Sequence, residues 1–110
     1  MGLAAGELDR IVLLERGVGV RDQSGQIVMT WSPIATVWAS WRRASARETL
    51  AAAELQAAVT DVFVIRYSAD VAALDPKCRL TFDGAVYDIA EVTEVGHRDG
   101  LRIVASARAD

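Results

Sequence analysis

The sequence holds one cysteine, one histidine and two prolines in 110 residues. The single thiol, Cys78, can form no internal disulfide. With His97 as the only imidazole there is no soft-ligand set of the kind that builds a zinc site. No metal and no cofactor is expected. Basic charge is also short: 12 Lys and Arg stand against 15 Asp and Glu, for a net charge of -3. Tight binding to free nucleic acid rests on a surplus of cations over the phosphates it must neutralise, so DNA or RNA is not expected as a main ligand. The basic cluster Trp41-Arg42-Arg43 is the one counter-signal, and such a pair more often ends an exposed strand. No apolar run approaches the roughly 20 residues that a membrane helix needs.

The chemistry of the common enzymes is missing too. There is no phosphate-cradling glycine loop, no GxSxG and no HExxH. Cys78 lacks a sequence-near histidine and reads as a buried structural thiol. His97 sits in the polar stretch His97-Arg98-Asp99-Gly100 and reads as solvated. The acidic pairs Asp83 with Asp88 and Glu91 with Glu94 read as strand exteriors. An enzyme is not expected. The first ten residues, "MGLAAGELDR", carry Glu7 and Asp9 where a secretory leader would be basic, and Gly6 where a myristoylation motif would want Ser or Thr. A soluble cytoplasmic chain is the expectation.

What is present is short, β-branched and punctuated by turns. "RIVLLERGVGV", from Arg10 to Val20, is apolar on both faces and reads as a core strand. "IVMTW" and "IATVWASW" read as two strands separated at Ser32-Pro33, since proline offers no amide hydrogen to a ladder. "VTDVFVIRY" alternates Phe63, Ile65 and Tyr67 against Val62, Val64 and Arg66, as a central strand would. "SADVAALDPK" is a loop. Asp83-Gly84 and Asp99-Gly100 each suggest a tight hairpin, because glycine supplies the positive φ of a type I′ turn. In the last strand Leu101, Ile103, Ala105 and Ala107 point inward. Against this background "ARETLAAAELQAA", Ala46 to Ala58, is made of strong helix formers. The expected fold is mainly β: six or seven strands in a small antiparallel β-barrel or sandwich, with one α-helix inserted at about residues 45–58, all in one domain over 1–110.

Two features bear on surfaces. Trp38 and Trp41 are three apart on an extended strand and point to opposite faces, so one is expected inside and the other either covered by the helix or exposed as an interface anchor. On the helix, Leu50, Ala53 and Ala57 form one apolar stripe and Ala51, Leu55 and Ala58 another. Two stripes imply two partners: one stripe on the chain's own barrel, the other on a neighbouring subunit.

The order of these elements resembles the phage head-tail joining family, the small adaptor or head-closure (stopper) proteins of tailed phages and gene transfer agents. The resemblance runs through "DRIVLLERG", "DQSGQIVMTW", "ATVWASW", "SARETLAAAELQAA", "FVIRYSAD", "CRLTFDGAVYDIAEV" and "LRIVASA". Its most specific parts are Thr30-Trp31, Val37-Trp38-Ala39, Arg47-Glu48, Ile65-Arg66-Tyr67 and the Asp83-Gly84 hairpin with Tyr87 and Ile89. Ala46 departs from the glycine that commonly precedes the Arg-Glu pair, and Asp61 from a frequent basic residue. The resemblance implies a virion neck protein, made in the host cytoplasm. It would form a ring of six or twelve copies between the portal or adaptor ring and the tail terminator or tail tube, with DNA passing through the channel unbound and no membrane contact. On that reading the candidate interface is Trp38 and Trp41 with Arg47, Leu50, Ala53, Leu55 and Ala57 of the helix. A tail-terminator-like ring protein, or a stand-alone barrel for a small ligand or oligonucleotide, are the alternatives.

Overall fold

In the computed structural model, which describes residues 5–108, the pattern at Arg10 resolves into two long strands. β1 (Arg10–Arg21) and β2 (Ile27–Arg43) form one antiparallel hairpin. β3 (Asp61–Arg66), β4 (Cys78–Phe82), β5 (Ala85–Val95) and β6 (Gly100–Ala107) follow, and α1 (Ala46–Glu54) lies between β2 and β3. All neighbours are antiparallel, and the sheet closes in the order β1-β2-β3-β6-β5-β4. The closed barrel is mainly β with one inserted helix, as the alternation of the strands implies.

Inward positions of the strands meet in the middle. Val12 and Leu14 of β1, Phe63 and Ile65 of β3, Leu80 of β4 and Ile103 of β6 are all fully buried. Phe63 stands edge-on to both Phe82 and Tyr87, with ring centroids 5.6 and 5.3 Å away. The loop after β3 contributes more than its composition suggests: it turns through short backbone bonds and drops Val71 and Leu74 into the core. Arg16, opposite Cys78 in the ladder, reaches this loop, donating to the Ala73 carbonyl at 2.7 Å and pairing with Asp75.

Several local expectations are corrected. Ser32-Pro33 does not divide the segment into separate strands. β2 runs through it for 17 residues, with a bulge that pairs Leu14 with Ala35 and Glu15 with Pro33. Proline is tolerated because it stands at the bulge and because, among the described residues, no third strand pairs with β2 until Ala39, which leaves this stretch an edge. The Asp83-Gly84 turn is the expected one, with φ of 52° and 80°. The Asp99-Gly100 turn is not: Gly100 already pairs with Val95, and the loop spans 96–99 with positive φ at Gly96 and Arg98. The helix is shorter than 45–58, because Gln56 adopts φ 59° and ends it. The reading of residues 1–4 as leader-free lies outside the described residues. No helix among those described is long and apolar enough to cross a membrane.

Candidate assembly surfaces

α1 is anchored by its first turn. Ser45 Oγ accepts from the Glu48 amide at 3.2 Å, and Glu48 Oε1 accepts from the Ser45 amide at 2.8 Å, a reciprocal cap that satisfies two otherwise open donors. The same carboxylate receives both guanidinium nitrogens of Arg42, at 2.7 and 2.8 Å, and one from Arg102 at 3.3 Å. The Arg42 hydrogen bonds, then the Ser45 amide, hold the Glu48 carboxyl down at about 2. A carboxyl whose folded value is depressed stabilises the fold above its usual range, and that contribution is lost as pH falls toward the folded value. Glu48→Gln is therefore expected to cost about 1–2 kcal/mol near neutral pH, a figure reduced for the solvent screening of half-exposed Arg42. The gap between wild type and variant should close as pH falls from about 4.5 to about 2 in urea melts. A gap independent of pH would contradict it.

This cap turns Glu48 and Ala52 toward the barrel, so the helix packs through positions that belong to neither apolar stripe. Ala52, with Ala44 and Ala90, covers a small outer cluster of Val59, Val62 and Val104. Neither leucine is used in packing: Leu50 is 65% exposed and Leu55 79%. The expectation that one leucine stripe packs on the chain's own barrel is thus corrected, and Arg47 and Ala53 are exposed as well. Between α1 and the sheet lies a cleft of about 270 Å³, walled by Ala51, Ala52, Leu55 and Ala57 of the helix segment and by Ala90 and Val104 of the sheet. Ala90 is the extra residue of a bulge in β5, where Ile89 pairs with Ala105 and Glu91 with Val104.

The three tryptophans have three different fates. Trp41 faces inward at the barrel end, tilted against Phe82, and its Nε1–H donates to Oδ2 of the buried Asp61 at 2.7 Å. It belongs to the barrel's own packing, which removes it as an exposed anchor. Trp38, 55% exposed, lies on the outer wall opposite exposed Ile11 and is not covered by the helix. Trp31 is half-buried beneath the Arg79 guanidinium, 4.1 Å from its ring.

A further surface was not read from the sequence. β4 pairs with β1 only from Val12 to Arg16, and β3 pairs with β2 only from Ala39 to Arg43. The hairpin from Gly17 to Trp31 therefore leaves the barrel as a two-stranded arm. Val18, Val20 and Val28 on one face, and Ile27 and Met29 on the other, are each half exposed or more. Gly17 and Gly19 leave room for the side chains lying across them: a Cβ would come within 2.9 Å of Trp31 and Met29 at 17 and of Ile27 at 19, and these would have to shift. "RGVGV" reads as core in sequence because it is apolar on both faces; in space it is apolar on both faces and uncovered.

No chemistry gathers at these surfaces. His97 is exposed, and the Cys78 thiol is buried, with its pKa raised by desolvation. Among the described residues no three His, Cys, Asp or Glu side chains come together as a metal site. Of the basic cluster beside Trp41, Arg42 is held by Glu48, and elsewhere Arg79 pairs with Glu15 and Arg108 with Asp88.

Comparison with known proteins gives a consistent picture. A family model described as phage head completion protein matches residues 3–108. Protein SF1141 from Shigella flexneri 2a, solved in solution, shares the fold with a TM-score of 0.75 at 24% identity, over 98% of this chain and 99% of that one. A chain in the virion of a native gene transfer agent particle is similar with a TM-score of 0.56 at 22% identity, over 89% and 92%. Among curated protein sequences none matches.

Proposed function

From the premise that this chain belongs to the phage head completion protein family, a family of structural virion proteins, we propose that it acts at the head-tail neck as a ring-forming head-closure or adaptor subunit. In that role it extends the portal channel, retains packaged DNA and offers the surface on which the tail docks. The observation that carries this reading is where the apolar surface lies. The barrel interior is filled by side chains, and two outer clefts, about 270 Å³ at α1 and about 310 Å³ beside Trp38 and Arg66, stand at the bottom of the roughly 300–1,000 Å³ range of small-molecule pockets. The unspent apolar surface is on an arm, a helix and an outer-wall tryptophan, as an assembly subunit requires. Arginines neutralised by carboxylates suit a channel component past which DNA must slide, and count against the oligonucleotide-barrel alternative. The similar fold of a chain in a gene transfer agent virion agrees with the reading.

The test is deletion of the gene from a genome that produces particles. Electron microscopy should show filled or leaking heads without necks beside free tails, with complementation restoring joined particles. Normal joined particles in the deletion strain would overturn the proposal.

A further inference from the structure

The arm and the α1 cleft lie at opposite ends of one strand. On β2 the arm ends at Trp31 and the helix follows Arg43, 12 residues on, a span of roughly 40 Å at the rise of an extended chain. The ladder between β1 and β2 runs from Arg10 to Arg21 and holds the arm away from its own helix. An isolated two-stranded hairpin is at best marginally stable in water, and this one has apolar side chains on both faces and open hydrogen-bonding edges. Cover must therefore come from another molecule.

We propose that the Gly17–Trp31 arm of one copy lays its Val18, Val20 and Val28 face into the α1 cleft of the next copy of this chain, head to tail. Side-chain size selects the face. The valine face carries short branched groups that suit a shallow cleft that is floored by Ala51, Ala52, Ala57 and Ala90 and whose charged side chains, Glu48, Glu91 and Arg102, are paired with one another. The opposite face is broadened by Ile27, Met29 and Trp31 lying over the glycines, and is too bulky for that cleft. Charge selects the partner class. The ribbon bears no charge between Gly17 and Val20 or between Ile27 and Trp31, and its one cation, Arg21, is turned onto the tip, donating to the Gly25 carbonyl at 2.9 Å, so it offers a phosphate backbone no basic stripe. Its tip, Asp22 to Gln26, is a polar turn closed by Asp22 Oδ1 accepting from the Ser24 and Gln26 amides, which would oppose insertion into lipid.

Area is consistent with a repeated contact. The face presented is three half-exposed valines, well short of the roughly 800 Å² that one side of a standard interface buries. One such contact is weak alone. In a heterologous assembly each copy gives one arm and accepts one, and the contacts support one another once the ring closes. The proposal rests on the head-completion reading only for that closure; the contact itself is a property of the isolated protein.

The experiment uses the full chain with one new thiol at a time, Val20→Cys on the arm and Ala57→Cys in the cleft, the buried Cys78 serving as background. Mixed at increasing concentration up to the millimolar range and oxidised, the two variants should give a disulfide heterodimer that neither forms alone. Adding Val18→Glu to the Val20→Cys chain should abolish the heterodimer and leave the melting temperature unchanged, since Val18 is half exposed. Homodimers of the Val20→Cys chain in place of the heterodimer would mean that arms pair with arms, and would overturn the proposal. Absence of the mixed species throughout the concentration range would overturn it as well. A heterodimer together with normal particles in the deletion strain would sink the neck function and leave the contact standing.

Discussion

Phe63→Ala is expected to cost about 3–5 kcal/mol, a large share of the stability of a domain of this size. Phe63 is fully buried at the centre of the barrel, where its ring meets Phe82 and Tyr87 edge-on. The loss combines the transfer of the ring's apolar surface with the void that remains. The void term is large here because the wall is a closed ladder. For the void to collapse, strands hydrogen-bonded on both sides would have to move inward, and Val71 and Leu74 already occupy the core. Urea titration should show a lower midpoint with an unchanged slope. Met29→Ala, on the half-exposed arm, should cost less than about 1 kcal/mol. If the two substitutions cost the same, the arm is part of the core and the distinction between filled barrel and uncovered ribbon fails.

That distinction marks the boundary of what the sequence makes legible. Alternation in "FVIRY" and "LRIVASA" reports which side chains are apolar, and where a closed barrel lies on one side that suffices to place Phe63, Ile65, Leu101 and Ile103 inward. In "RGVGV" both faces are apolar, and polarity alone does not say whether cover exists. The answer depends on β3 and β4 ending where they do, which is a property of other segments. The same holds for turns. Asp83-Gly84 is legible because both residues adopt the positive φ that the dipeptide favours. Asp99-Gly100 has the same letters, but the ladder pairs Gly100 with Val95, and the turn shifts to 96–99. In α1 the propensity of the alanines announces the helix, while its orientation is set by one charged side chain. Glu48 is drawn to the barrel by Arg42 and Arg102, and the leucines are carried outward as a result. Of the candidate interface residues, Trp41 is claimed by Asp61, a buried partner more than a dozen residues away that no local pattern could announce.

Leu50→Glu and Leu55→Glu are expected to leave the fold intact and to stop assembly by different routes. Both side chains are largely exposed, so each charge remains hydrated and each change in stability should stay within about 0.5 kcal/mol. Leu55 walls the cleft that receives the neighbour's arm, and a carboxylate there would be desolvated on docking beside Glu48 and Glu91, which already share Arg102. That variant should fail to form the Val20→Cys to Ala57→Cys heterodimer and should give heads without necks. Leu50 lies about 160° around the helix from Ala52, at 100° per residue, on the side away from the barrel and the cleft. On the head-completion reading proposed above, an exposed apolar side chain outside the arm contact would serve another component of the neck, and its variant should then keep the heterodimer and still fail to give joined particles. Melting curves separate these outcomes from simple instability. If either variant unfolds, that leucine belongs to the core despite its exposure. If both yield infectious or transducing particles at the wild-type level, α1 is not a contact surface, and the arm must seek its cover elsewhere on the neck.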